Sequence, residues 1–391
     1  MSGMRTARID GHVHVGLAGD EHPELGRMSE YFRSRFEYRV FLAFGRVDPD
    51  RVCDKVLREA TVEALATSGV DHAVCLALDP VYDDRGRRRE DLSHMWVANE
   101  YVLGLRDDLG DKVLLGASVH PYDPDFEERV RGAVDRGAVL LKWLPSAQGI
   151  DLADERSRAA MVALSRLGAD GGPLPLLLHT GMEYAIPPCD PHLVSNDFLS
   201  WSAWDGLKNK LRFGKKWRRP DLDGVSLSLE TALGEGAVIV FAHCGLPYFA
   251  SGPLAPLLEH SDFKTVRGYL DRWPAGGGRG GRCLADLSAC CTPFRKPYFP
   301  KLAKLPEASL LAGSDFPTPV FELSAGLKEA AEDAKAMLHG DLTRLIVPED
   351  NLLDVNQREL GVAFPGHPMF TNLGGLLDEL GLPRPSTPDS S

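Results

Sequence analysis

Four short apolar segments of this chain each stop on a side chain that can bind a metal: His12 and His14 in Asp10-Gly11-His12-Val13-His14, His179 after Leu176-Leu177-Leu178, His243 after Val238-Ile239-Val240-Phe241-Ala242, and Asp315 after Leu310-Leu311-Ala312-Gly313-Ser314. His12 and His14 are two residues apart on an extended chain, so both project to one face, about 6.6 Å apart along the strand. A carboxylate that closes an apolar strand costs several kcal/mol unless a cation or strong hydrogen bonds meet it. Taken singly, each His could be a satisfied core residue and Asp315 a helix cap. Five such residues at corresponding strand ends point instead to one shared divalent ion. Imidazole with carboxylate suits zinc, and manganese and iron are alternatives.

Such sharing needs elements that gather distant strand ends at one mouth. β-branched or Leu-rich runs bounded by Gly, Asp or Pro occur at 8–15, 72–79, 112–120, 138–144, 175–180, 237–244, 283–289 and 309–315. Helical patterns alternate with them at about 52–68, 91–109, 124–136, 154–168, 224–234, 253–272, 295–304 and 321–338, and a final helix is expected near 348–361. Strands apolar throughout and alternating with helices read as a parallel sheet buried on both faces. Eight of them close a (β/α)8 TIM-like barrel, whose active sites lie at the C-terminal ends of the strands. The expected organisation is a single domain over 1–382, with a C-terminal helical extension and a flexible tail at 383–391. The stretches 20–51 and 182–223, after strands 1 and 5, exceed ordinary loops and are candidate lids over the mouth.

Composition narrows the partners. The chain has 391 residues, 43% apolar and 26% charged, as an ordinary globular protein with a large core does. Its net charge of −12 disfavours nucleic acid and anionic membranes and leaves small molecules as partners. No run approaches the roughly 20 apolar residues of a membrane span. The N-terminus lacks the pattern of a secretion signal. Seven cysteines without CxxC spacing fit a reducing cytoplasm. Lys208, Lys210, Arg212, Lys215, Lys216, Arg218 and Arg219 form a basic run without an acidic residue. It is read either as a solvated surface or as a funnel for an anionic substrate.

The quartets Asp10-Gly11-His12-Val13-His14, Leu178-His179-Thr180-Gly181, Ala242-His243-Cys244-Gly245 and Gly313-Ser314-Asp315-Phe316-Pro317 resemble, in order, the motifs of the amidohydrolase superfamily. The likeness spans about 8–361 and is strongest to the branch that groups amidohydrolase-related hydrolases with decarboxylases and hydratases. It implies a distorted (β/α)8 barrel in which His12, His14, His179 and Asp315 hold a divalent ion, most often zinc. By the same resemblance His243 is a further ligand or polarises the substrate, and Asp315 handles the proton. Lys142, near the end of the fourth strand, is in binuclear relatives carboxylated and bridges two ions; it is otherwise an ammonium that binds an anionic substrate, or simply paired with a carboxylate. One ion or two therefore stays open.

His120 ends the third strand, and Gln148 lies just beyond Lys142; both are candidate substrate contacts, with Asp79 and Ser288 behind them. Cys244 is read as packing. The implied activity is metal-dependent hydrolysis of a small amide, lactone or ester, with Asp315 and His243 as catalytic residues. The alternative is a mononuclear zinc lyase, a decarboxylase or hydratase of an unsaturated carboxylic acid. Such barrels often associate, so a homo-oligomer stays open.

Overall fold

The structure is a computed structural model and describes residues 7–183, 185–190, 193–194, 198–211, 216–247, 260–276, 280–318 and 348–383. Eight parallel strands follow one another around a single sheet in chain order: β1 (Ile9–His14), β2 (His72–Leu76), β3 (Val113–Ala117), β4 (Ala138–Trp143), β5 (Leu176–Leu178), β6 (Val238–Phe241), β7 (Arg282–Asp286) and β8 (Leu310–Leu311). Every residue of β2, β3, β4, β5 and β6 is buried. That is why these segments are apolar throughout rather than alternating. On β6, Val240 faces Leu177 on one side and Leu284 on the other, whereas the register shifts between Asp10 and Val13 on β1 and between Leu115 and Gly116 on β3.

The barrel closes between β1 and the residues after β8. Val13 pairs with Phe316, Gly11 N donates to Ala312 O at 2.9 Å, and His14 N donates to Phe316 O at 2.9 Å. Asp315 N donates to His12 O at 2.8 Å. The seam that shuts the barrel therefore lays His12 beside Asp315, although some 300 residues separate them.

Around the sheet run α2 (Asp54–Thr67), α3 (Asn99–Leu109), α4 (Phe126–Asp135), α5 (Glu155–Ala163), α7 (Leu222–Gly234) and α8 (Phe263–Arg272), after α1 (Phe36–Phe44) in the first insertion and with α6 (Ala203–Leu211) in the second. At the C-terminus, α9 (Leu352–Ala363) leads to α10 (Met369–Glu379), which packs on β1 and β8. No helix of the described residues is long and apolar enough to cross a membrane.

Two expectations need adjustment. The helix expected over 91–109 begins only at Asn99, because Met95–Val97 instead pairs antiparallel with Gly26–Met28 of the first insertion. Over 295–304 only a single helical turn forms, Phe299–Leu302, after a tight turn at Lys296–Tyr298. Pro297 and Pro300 each remove a backbone donor there. The helix expected at 321–338 lies outside the described residues, as do the start of 253–272 and all of the C-terminal tail but Pro383.

The first insertion has its own small core. Met28, Phe32, Tyr38, Leu42 and Val47 pack with Leu144 and Ile186, apart from the main core of the barrel. Ser29 caps the turn Glu30–Arg33 by accepting from Phe32 N at 3.1 Å. Asp54, at the start of α2, accepts from the backbone of Gly19, Glu21 and His22 and so fixes the root of the insertion.

Candidate metal centre

At the C-terminal ends of the strands the side chains converge. His12 Nε2 lies 3.2 Å from Asp315 Oδ1 and 3.2 Å from His14 Nε2, and His14 Nε2 lies 3.2 Å from the same carboxylate oxygen. The His243 ring is 5.2 Å from that of His12 and 5.3 Å from that of His179. His12, His243 and Asp315 each present a ligand atom within 4.8 Å of the others. Lys142 Nζ, almost wholly buried, is 3.3 Å from His12 Nε2.

Backbone geometry sets two of these groups. His243 and Asp315 end their strands in the left-handed region, with φ of 55° and 61°. Asp and His are among the non-glycine residues that enter that region most often, yet it still costs on the order of 1–3 kcal/mol per residue. Gly313 makes the approach possible, because a Cβ there would meet His12 Cβ at 2.9 Å and Ser288 Cβ at 3.1 Å.

The hydrogen bonds settle which imidazole atoms face the centre. His12 Nδ1 donates to Asp286 Oδ2 at 2.8 Å, and His243 Nδ1 lies 3.0 Å from Ser288 O, an atom that can only accept. Each neutral ring therefore turns an unprotonated Nε2 inward. Burial, with help from Lys142, keeps His12 below its usual range, and burial pushes His243 down to about 3. Burial also holds His179 well below its usual range, with His243 and Lys142 adding to the effect. Asp315 goes the other way. Burial opposes its charge, but His243, His12 and His14 hold its carboxyl well below the ordinary range.

Lone pairs of nitrogen and an ionised oxygen thus meet at about hydrogen-bond distance, and His179 Nε2 is buried with no hydrogen-bond partner among the described residues. Neutral imidazole and carboxylate donors around such a point fit a divalent cation, which would relieve this arrangement.

Asp286 is the residue that strand-end reasoning overlooked. It sits two positions before Ser288 and accepts from His12 Nδ1, from His243 N at 2.8 Å, from Ser288 N at 3.1 Å and from Ser288 Oγ. These donors overcome its burial and keep the carboxyl well below its ordinary range. A carboxylate in the middle of the apolar run Cys283-Leu284-Ala285-Asp286-Leu287 was the available signal. Glu183 was also missed. It accepts from Ala185 N at 2.6 Å and Ile186 N at 3.0 Å, and its second oxygen lies 3.6 Å from His179 Nε2. Nothing in its loop sequence marks it.

Other candidates turn away from the centre. His120 Nε2 donates to Gln148 O at 3.0 Å, and its Nδ1 accepts from Tyr122 N at 3.1 Å. Burial pushes it down to about 4. Gln148 accepts from Leu144 N at 2.7 Å and donates to Asp79 O at 3.0 Å. These two and Asp79, which is paired with Arg129, brace the loops after β2, β3 and β4 and do not line the cavity. Ser288 supports His12 and His243 rather than facing ligand space. Cys244 is fully buried, with Sγ directed at Asp286 O.

The basic run is also occupied elsewhere. Lys208 lies 2.7 Å from buried Asp205, Lys216 donates to Asn209 O at 2.9 Å, and Arg218 sits 3.4 Å from Asp151. None of its described members lines the cavity; Arg212 and Lys215 lie outside the described residues.

A cavity of about 190 Å³ opens on the centre. His14, His179, His243 and Asp315 form one wall, with Glu183 and Arg295 beside them. Arg295 is buried, its Nε donating to Pro247 O at 3.0 Å. Residues from the first insertion, and Met182, Ala185 and Ile186 from the second, form the other walls.

No family model matches the chain, and no curated protein matches its sequence. Among solved structures, a protein assigned as a 2-pyrone-4,6-dicarboxylic acid hydrolase from Pseudomonas putida is 15% identical, with a TM-score of 0.42 over 90% of this chain and 98% of that one. The 5-carboxyvanillate decarboxylase of Novosphingobium aromaticivorans, complexed with manganese and 4-hydroxy-3-methoxy-5-nitrobenzoic acid, is 14% identical, with a TM-score of 0.40 over 92% of this chain and 96% of that one. An amidohydrolase from Burkholderia multivorans with bound zinc is 13% identical, with a TM-score of 0.43 over 96% of this chain and 100% of that one.

Proposed function

We propose that the chain is a metal-dependent hydrolase of a small-molecule amide, lactone or ester, with zinc the favoured ion and manganese or iron as alternatives. The observation that carries this reading is the convergence of His12 Nε2, His14 Nε2 and Asp315 Oδ1 within 3.2 Å of one another, with the His179 and His243 rings beside them. In this reading His12, His14, His179, His243 and Asp315 hold the ion, and Lys142 either joins them as a carbamate that bridges a second ion or stays an ammonium beside the substrate. A divalent ion there supplies a Lewis acid and brings the pKa of a bound water toward 7.

The chain's own groups do the rest. Asp315, ionised and facing the cavity, accepts a proton from the attacking water and returns it to the leaving group. His243 keeps its Nδ1 hydrogen on Ser288 O, so the neutral ring offers the cavity a lone pair and acts as a ligand rather than as an oxyanion donor. Asp286 fixes the orientation of both His12 and His243. In this reading the stretches 20–51 and 182–223 are lids over the mouth, and residues 1–382 act as one domain. Seven free cysteines fit a reducing compartment such as the cytoplasm.

One observation favours the lyase alternative. Lys142 and Arg295 stand near the same cluster and together could hold a substrate carboxylate. The experiment that separates the two is product analysis on panels of esters, amides, lactones and unsaturated carboxylic acids with zinc- or manganese-loaded protein. Hydrolysis adds water, whereas decarboxylation releases CO2. Asp315→Asn should lower turnover by about 10²–10⁴-fold while the protein stays folded. Retained turnover in that variant contradicts the role given to Asp315.

A further inference from the structure

The cavity continues beyond the metal ligands into a chamber made by the first insertion. Met28, Phe32, Phe36, Phe41, Leu42 and Val47 line it. Arg295, beside the metal ligands, is the sole Lys or Arg among the described residues of the cavity wall. Glu37, on the same wall, is 2.7 Å from Arg35.

Tyr38 also lines the chamber. It is 5% exposed, and its Oη is buried with no hydrogen-bond partner. That Oη has essentially no accessible surface, so the ring of Tyr38 and not its hydroxyl meets the chamber. The whole cavity, its metal end included, has a volume of about 190 Å³, against the roughly 150 Å³ of an engineered cavity that admits benzene.

We propose that this chamber receives an uncharged hydrocarbon group of the substrate, one aromatic ring or an alkyl chain of about six carbons. The inference rests on the reading that this cavity is the substrate site, and it deepens that reading by naming the substrate's body. A substrate carboxylate, if there is one, belongs at the Arg295 end and not in the chamber, where an anion would meet Phe and Leu side chains and Glu37.

The test uses the metal-loaded full chain and unreactive ligands. Calorimetry with primary alcohols from propanol to octanol and with benzyl alcohol should show affinity rising about fourfold per methylene until the chamber fills near six carbons. The matching ω-hydroxy carboxylates should lose that gain. Tyr38→Phe, which removes an Oη that presents no surface to the chamber, should leave the alcohol affinities unchanged. Ala60→Trp, on the chamber wall, should flatten the dependence on chain length.

An affinity that is flat with chain length in the unmodified protein, or that favours the carboxylates, overturns the proposal, and this measurement does not depend on whether either variant folds. If the length dependence is present but no ester, amide or lactone is turned over, the hydrolase reading falls and the chamber assignment stands. If turnover is present and the length dependence is absent, the reverse holds.

Discussion

Asp286 Oδ2 lies 2.8 Å from His12 Nδ1, and the other oxygen of the same carboxylate takes the backbone N–H of His243 at 2.8 Å. One side chain on β7 thus fixes the tautomer of a residue on β1 and the position of the residue that ends β6. Partners of this kind orient metal-binding imidazoles, and their loss commonly weakens metal affinity by about 10–100-fold. Asp286→Asn should therefore lower zinc affinity by about that factor in competition with a chromophoric chelator, while the secondary structure persists. An affinity unchanged within error would show that His12 needs no such partner.

Gly313 is the point where β8 passes His12. An added Cβ would come within 2.9 Å of His12 Cβ and 3.1 Å of Ser288 Cβ. Overpacking of this kind typically costs about 1–3 kcal/mol. Gly313→Ala should reduce stability by that amount in urea unfolding and weaken metal binding too, since the displaced group carries a ligand. A stable variant with intact metal affinity would mean that the seam can relax.

His120 and Gln148 separate structure from chemistry. Both ring nitrogens of His120 are engaged, with Gln148 O and Tyr122 N, and the residue lies off the cavity. His120→Ala should destabilise the protein by about 1–3 kcal/mol through the groups it leaves unpaired. Once a substrate is known, kcat/KM below the melting range should change little. A large fall in kcat/KM with full stability would return His120 to the site.

A second buried histidine supplies a pH dependence. His260 Nε2 lies 2.9 Å from Asp262 Oδ1, and its Nδ1 lies 3.1 Å from Asp205 Oδ1, which Lys208 also meets at 2.7 Å. Burial opposes the imidazolium, but Asp262 and Asp205 outweigh it and raise His260 above its usual range. A raised folded-state value means that the protonated ring stabilises the native state. That contribution is complete below about pH 6.5, the unfolded value, and is lost as pH rises through the folded one. Thermal melts from pH 6 to 9 should show the destabilisation by His260→Gln to be largest at the acid end and to shrink with rising pH. A constant difference would mean that the charge on His260 does not contribute.

The positions that converge at the candidate centre were legible because the signal is local. An imidazole or carboxylate that stops an apolar strand is conspicuous, and βα alternation alone puts such strand ends together. His12, His14, His179, His243 and Asp315 needed only that. Asp286 was not found, since attention to strand ends passed over a carboxylate two residues earlier whose partners lie on β1 and β6. His120 and Gln148 occupy equally suggestive positions, yet the loops after β3 and β4 fold back and join them to each other, an outcome set by long-range packing. The basic run shows the same limit: a cluster of charge in sequence does not disclose that Lys208 will be buried against Asp205. The chamber under α1 was likewise unreadable, because its walls come from two insertions and its purpose depends on where α1 lands.

The most direct test is a metal measurement on the full chain. After equilibration with zinc and removal of excess, elemental analysis of the unmodified protein should give one equivalent per chain, or two if Lys142 carries a bridging carbamate. Anomalous scattering should place the ion among His12, His14, His179, His243 and Asp315. The combined variant His12→Ala, His14→Ala, Asp315→Asn should retain none. A protein that takes up no stoichiometric zinc, manganese or iron, or a variant that binds as much as the unmodified chain, would contradict the account.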